Sequence, residues 1–289
     1  MTGRVFLTGA TGSVGREVFS ALRARGADVV IGARRPGAVA DTLPDADAIV
    51  QLDLGDAQIS PAVFEGADAL FLLTPLMEDQ VAASKRVLEA AGAAGVRHVV
   101  RLSSRATGWD QESLFRQWHR DIEGLVKASG CTWTMLRPCS FFQNFIRYQS
   151  QSIRQMSAII LPQGDGLISY IDAADIGEVA AESLLAPETH QGQTYVLTGA
   201  RAYGPKGVAA EIGRVIGKPI AYIDLDPEQA REMMTKAGHP QWLVDSGLAV
   251  FAHAREGHEA SVDPTLTQLL GRPATSLSEF VERNHEAWR

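Results

Sequence analysis

The 289-residue chain is short of several things, and each shortage closes a class of function. No run of about 18 apolar residues occurs and a core strand begins almost at once, so neither a membrane span nor a cleaved signal is expected, and the protein should stay in the cytoplasm. There are only two cysteines, Cys131 and Cys139, both in apolar surroundings that suit reduced, buried thiols better than a disulfide or a metal site. His98, His239, His253 and His258 show no ligand spacing, and no metal is expected. Positive charge is in the minority: 27 Lys and Arg against 34 Asp and Glu give a net charge of −7. Without a basic stripe to neutralise phosphates, DNA and RNA are not expected partners. Finally, five tyrosines are present but none lies between Met1 and Arg147.

What is present is the material of a large core, with 45% hydrophobic and 21% charged residues. That is enough for one large domain or two unequal ones. The stretch "VFLTGATGSVGREVF" opens with a short apolar run, Val5 to Leu7, that reads as a buried strand, and it passes through a glycine turn into a helical pattern. Gly9 allows a tight turn, Gly12 lets a ligand approach the backbone, and Gly15 lets the helix pack closely on the strand. The free amides of the helix start would hold a diphosphate. Thr8, Gly9, Thr11, Gly12, Ser13, Val14 and Gly15 are therefore candidate dinucleotide-binding residues, although an ordinary strand-to-helix turn would share the spacing.

A second apolar run, Asp28 to Gly32, ends in Ala33-Arg34-Arg35-Pro36, with no acidic residue at its C-terminal end. A carboxylate there would mark NAD, whereas Arg34 and Arg35 offer guanidinium groups that suit a 2′-phosphate. NADP(H) is expected in preference to NAD(H).

Strands then alternate with helices: 48–53, 69–73, a helix over 79–94, a strand at 99–102, a helix over about 111–128 and a strand at 132–136. Alternation of this kind implies an α/β fold with a doubly wound, Rossmann-type parallel sheet, and ligands bind outside the carboxyl ends of its strands. Beyond Gln143 the alternation loosens into a smaller, mainly helical lobe. The expected division is a dinucleotide-binding domain over 1–145 and a substrate lobe over 146–289, with interleaved elements.

The glycine triplet, "GARRP", "LDLGD", "RLSS", "TMLRPCSFFQNF", "SYIDAADIGEVAAESL" and the closing "GRPATSLSEFVERNHEAW" together resemble the NmrA-like branch of the atypical, extended short-chain dehydrogenases, over nearly the whole chain. That branch includes NADPH:quinone reductases, aromatic ether reductases, ergot-alkaloid reductases, polyketide ketoreductases and non-catalytic redox sensors. The resemblance implies that Asp53 and Leu54 line an adenine pocket, that Thr74 and Pro75 flank the ribose, and that the backbone of Pro138, Cys139 and Ser140 meets the nicotinamide carboxamide. On their own, Asp53 could cap a turn and Thr74-Pro75 could end a strand.

Carbonyl reduction needs a proton as well as a hydride. Short-chain dehydrogenases draw it from a tyrosine whose pKa a lysine lowers one helical turn later. Anchoring the helix on Glu123 puts Phe115 at the tyrosine position and His119 at the lysine position, so the usual pair is absent. The proton could come from water, from Ser103 or Ser104, from His119, or from a phenol on the substrate. Alternatively, an iminium or quinone substrate could accept hydride without a concerted acid, or the protein could sense NADP(H) without turnover. Trp109, Phe115, Phe141, Phe142, Asn144 and Tyr148 are candidate substrate contacts, since a flat polycyclic substrate would stack on aromatic rings. The leading expectation is an NAD(P)H-dependent reductase of a bulky aromatic ketone or quinone, plausible in polyketide or other secondary metabolism and working as a monomer or homodimer.

Overall fold

A computed structural model describes residues 3–110 and 112–289. The first half alternates as its apolar runs dictate. β1 (Val5–Thr8) leads into α1 (Ser13–Ala24), β2 (Val29–Ala33), α2 (Pro36–Ala40) and β3 (Ala48–Gln51). β4 (Ala69–Leu72), α3 (Gln80–Ala93), β5 (His98–Leu102), α4 (Leu114–Ala128) and β6 (Thr132–Pro138) follow. Then come α5 (Gln143–Met156), β7 (Ala158–Leu161), α6 (Ala173–Leu185), α7 (Pro187–His190) and β8 (Gln193–Leu197). α8 (Pro205–Ile216), β9 (Ala221–Asp224), α9 (Pro227–Lys236), α10 (Gln241–Arg255), α11 (Thr265–Leu270) and α12 (Leu277–Arg283) complete the chain.

Two compact units share these elements, and the division is not a single cut. The first comprises residues 1–112, 116–138 and 173–196; the second comprises 113–115, 139–172 and 197–289. The first is built on a seven-stranded sheet of order β3-β2-β1-β4-β5-β6-β8. β1 pairs in parallel with both β2 and β4, in register Val5 to Val29 and Val5 to Ala69. The chain therefore winds outward in both directions from β1, and right-handed crossovers place the two sets of helices on opposite faces. α3 and α4 cover one face through Val87, Leu88, Ile122 and Val126, which pack with Phe6, Leu70, Leu72 and Val99. α1 and α6 pack on each other so closely that a Cβ at Gly177 would lie 2.6 Å from the Glu17 backbone. The order reverses between β1 and β4, so the loops leaving these strands diverge and open the crevice where such sheets bind ligands.

The second unit carries a parallel two-stranded sheet, β7 and β9, paired from Ala158 to Ala221. Its core joins Phe142, Phe145, Tyr170, Phe280 and Trp288. α12 is followed by a separate 3-10 turn at His285–Trp288. No helix among the described residues is long and apolar enough to cross a membrane.

Candidate active site

Each glycine of the first turn answers to a different constraint. Gly9 has φ +70°, a left-handed conformation that side chains rarely adopt, and its carbonyl accepts the Gly12 amide at 3.0 Å. A Cβ at Gly15 would lie 2.1 Å from the Gly9 carbonyl oxygen, so only glycine lets α1 approach the turn. Gly12 differs: a Cβ there meets nothing within 4 Å except the Gly9 oxygen at 3.3 Å. Its face is open, and the space a side chain would fill is the approach to the start of α1. Gly12 caps that helix without a side-chain hydrogen bond, and the amides of Ser13, Val14 and Gly15 have no partner among the described residues. Three amides and a helix dipole without an acceptor make a fit for a diphosphate. Thr8 and Thr11 serve the framework: the buried Thr8 Oγ1 ties β1 to Leu73, accepting its amide at 2.9 Å, and the Thr11 carbonyl accepts from Arg16 at 3.2 Å.

Arg34 and Arg35 are both exposed at the end of β2, and no ion pair holds either guanidinium among the described residues. Asp53 turns its own loop, accepting the Gly55 amide at 2.9 Å through Oδ1, while Oδ2 remains for a ligand. Leu54 packs partly on the core. Thr74 is buried with Oγ1 2.7 Å from Ser84 Oγ, and the adjacent Pro75 is exposed. One unit thus carries the glycine turn, the arginine pair and the loops after β3 and β4. Pro138 ends β6 in the same unit, whereas Cys139 and Ser140 fall in the other.

The proposed acids are more constrained than their sequence suggests. Ser103 is buried and donates its hydroxyl to Glu123 Oε1 at 2.6 Å. Arg137 grips the same carboxylate twice, Nε to Oε1 at 2.9 Å and Nη2 to Oε2 at 2.6 Å. Burial alone would raise the Glu123 pKa, but the hydrogen bonds from Arg137 and Ser103 hold it below the usual carboxylate range. His119 is buried, and desolvation, aided by the charge of Arg101, pushes its pKa down to about 3. Near neutral pH it is a neutral imidazole. Ser104 accepts the Ala106 amide at 3.1 Å, capping a 3-10 turn, and its hydroxyl hydrogen is given to no protein acceptor among the described residues.

Arg101 and Arg137 escaped sequence reasoning, although an arginine inside the apolar run "HVVRL" was a visible signal. Arg101 is 1% exposed, donates Nη1 to the Leu72 carbonyl at 3.1 Å, and leaves Nε and Nη2 without a partner among the described residues.

The aromatic set divides. Phe142 is corrected to core: it is 1% exposed and stacks on Tyr170 and Phe280, with centroids 6.0 and 5.2 Å apart. Tyr203 lies 5.9 Å away as well, so the Phe142 ring is enclosed by three others. Trp109 is also buried, at 8% exposure, in the first unit. Tyr148 is the reverse case, 64% exposed on α5 with Arg147 5.5 Å from its ring. Phe141 and Asn144 are half-buried at the start of α5, where Phe141 bridges to Ile171, and Phe115 is half-buried in the first turn of α4. Both cysteines are free thiols; Cys139 is buried and donates to the Ser169 carbonyl.

The model of the NmrA-like family matches residues 1–281. An NAD(P)H azoreductase of Xenophilus azovorans is 34% identical over 236 residues, 82% of this chain and 82% of its own length. A (4-alkanoyl-5-oxo-2,5-dihydrofuran-3-yl)methyl phosphate reductase of Streptomyces griseus is 33% identical, covering 98% of this chain and 99% of its own. Among solved structures, an NADPH-dependent quinone oxidoreductase of Escherichia coli complexed with NADPH superimposes with a TM-score of 0.83 at 26% identity, over 97% of this chain and 99% of that one.

Proposed function

The chain belongs to the NmrA-like family, and from that premise we propose that it is an NADP(H)-dependent oxidoreductase that reduces a bulky aromatic electrophile of the quinone, azo or aromatic-ketone type. One observation carries the cofactor half of this reading: a glycine face at three amides that have no partner among the described residues, in one unit with two arginines that no carboxylate engages among those residues. Two relatives above 30% identity are named as reductases, and one of them uses NAD(P)H.

In this reading Ser13, Val14 and Gly15 hold the diphosphate through their amides, and Arg34 and Arg35 hold the 2′-phosphate. Asp53 and Leu54 border the adenine, Thr74 and Pro75 the ribose, and the backbone of Pro138 to Ser140 the carboxamide. Bound there, a reduced nicotinamide supplies a hydride. The chain's own contribution is to position and to polarise. Ser103 has given its hydrogen to Glu123 and His119 is uncharged, which leaves the Ser104 hydroxyl to donate to a substrate oxygen. The proton that completes reduction comes from water or from the substrate's own phenol. Quinones and azo compounds suit such a site because they accept hydride without a strong acid, and positioning alone contributes several kcal/mol, up to about 7–11 in well-oriented systems. Phe141 and Asn144 are the substrate contacts this reading keeps. Polyketide or other secondary metabolism is the setting such a substrate suggests.

The missing tyrosine also favours a second reading, an NADP(H) sensor without turnover. NADPH oxidation monitored against a panel of quinones, azo dyes and polycyclic ketones separates the two. Consumption above the protein-free rate, lost in Gly12→Val, establishes the reductase. Tight NADPH binding with no consumption by any of them removes it.

A further inference from the structure

Arg86 lies on α3, at the edge of the crevice rather than in the glycine turn. Its Nη2 donates to the Leu54 carbonyl at 2.8 Å and approaches Asp79 Oδ2 at 3.3 Å. Leu54 belongs to the loop after β3, and Asp79 is the residue that opens α3 at the end of the loop after β4. A single nitrogen therefore joins two loops that lie 25 residues apart in the chain (79 − 54). Arg86 is 22% exposed, and its Nε is buried without a partner among the described residues.

The two contacts differ in weight. Asp79 is half exposed, at 50%, and an exposed ion pair contributes little. The bond to Leu54 does more: the Leu52 amide on the Ala33 carbonyl, at 2.9 Å, holds the loop where it leaves β3, and among the described residues Arg86 holds its backbone further along. Gly55 donates to the Asp53 side chain and Asp56 to the Asp53 carbonyl, which shapes the turn but anchors it to nothing. The Leu54 side chain rests on the core, and Arg86 fixes its carbonyl. The other loop is held by the same helix, through the hydroxyl pair of Thr74 and Ser84 at 2.7 Å. α3 is thus the common anchor of both loops.

We propose that Arg86 is a positioning residue for the adenosine end of the cofactor: it holds the loop after β3 in its binding conformation and acts through Leu54 rather than by touching the reacting atoms. This rests on the cofactor reading given above. A loop ordered before binding spares the ligand that ordering cost, so loosening it weakens affinity. It leaves the hydride step alone, because the nicotinamide lies at the far end of the dinucleotide. An arginine suits the task because it reaches a carbonyl from a helix while keeping its stem packed.

The test compares wild type, Arg86→Met and Arg86→Lys by direct titration with NADPH and with 2′,5′-ADP, which carries only the adenosine end, alongside steady-state kinetics with a quinone. In Arg86→Met both dissociation constants should rise by a similar factor, about 10-fold for a lost charge-assisted bond. The KM for NADPH should follow while kcat stays within about twofold. Arg86→Lys, with a shorter stem but a donor at its tip, should recover part of the affinity. Unchanged binding of both ligands in Arg86→Met overturns the inference and leaves the cofactor reading standing, as does a fall in kcat with binding intact. Wild-type protein that binds neither ligand overturns the cofactor reading itself.

Discussion

Ser103 Oγ and Glu123 Oε1 lie 2.6 Å apart, so the serine at the end of β5 spends its hydrogen on a carboxylate of α4. Arg137 engages that carboxylate from β6, and one glutamate thereby fastens two strands to the helix above them.

The first expectation concerns this carboxylate. Glu123→Gln leaves Arg137 facing a neutral amide, and breaking a buried pair from one side costs on the order of 3 kcal/mol. The Glu123 pKa is depressed in the folded protein, so its contribution is full above the unfolded value, about 4.3, and disappears as pH falls through the folded one. Urea unfolding at neutral pH should show the loss, and the difference between wild type and Glu123→Gln should shrink below about pH 4.

His119 and His98 set a different window. Burial lowers both, to about 3 for His119 and about 4 for His98, with Arg101 and His190 respectively adding to the effect. In the unfolded chain each takes up a proton near about 6.5, so the unfolded state binds more protons between these limits. Stability is full above about pH 6.5 and falls below it by up to roughly 1.4 kcal/mol per pH unit for each histidine. Unfolding midpoints between about pH 7 and pH 5 should slope less in the double variant His98→Asn, His119→Asn. A His119 resonance titrating near 6.5 by NMR would contradict the burial argument.

The same lowered pKa bears on turnover. His119→Ala should cost well under the factor of about 10² to 10⁴ that a general acid contributes, and the pH–rate profile near neutrality should keep its shape. A loss in that range, with NADPH affinity and folding intact, would make His119 the proton donor.

Arg34→Ala combined with Arg35→Ala should weaken NADPH binding at least about 10-fold while hardly changing NADH binding, because a charge-assisted bond to phosphate is lost only with the former. Titration by nucleotide fluorescence checks it. Wild-type protein that binds both nucleotides equally would remove the role given to the pair.

Gly12 and Gly15 should part company. Gly15→Ala drives a methyl into the Gly9 carbonyl and should cost about 1–3 kcal/mol or more in stability. Gly12→Val meets only the Gly9 carbonyl oxygen, at 3.3 Å, so its melting temperature should fall far less than that of Gly15→Ala while NADPH binding drops at least about 10-fold. Calorimetry and titration on the two variants distinguish a packing glycine from a ligand-facing one.

What the sequence disclosed, it disclosed through local pattern. The strands up to β6, the glycine turn and the arginine pair are each written within a dozen residues, as apolar runs, glycine spacing or a missing acid. α5 was harder, since "QNFIRYQSQSIRQM" is largely polar and its buried positions Phe145, Gln149 and Ile153 include a glutamine that masks the spacing. Pairing of β7 with β9 joins segments some 60 residues apart, and no local signal carries it. The same holds for the catalytic candidates. Nothing near Ser103 says that Glu123 will take its hydrogen, and nothing near His119 says that Arg101 will share its enclosure. Phe142 read as a loop aromatic because its partners, Tyr170 and Phe280, are distant in sequence.

The return of residues 173–196 to the first unit orders events during synthesis. When the ribosome has delivered six strands, the sheet still lacks β8 at its edge, and α1 still lacks the helix that nestles into it at Gly177. Residues 139–172 must emerge in between, so the nucleotide-binding half cannot finish folding as an N-terminal block. Its nascent form leaves the side of α1 around Glu17 uncovered until α6 is complete at Leu185, 47 residues after Pro138, a span of several seconds at ordinary elongation rates. A chain laid out this way is committed to folding as one piece, and truncation after β6 yields an open sheet rather than a smaller working domain.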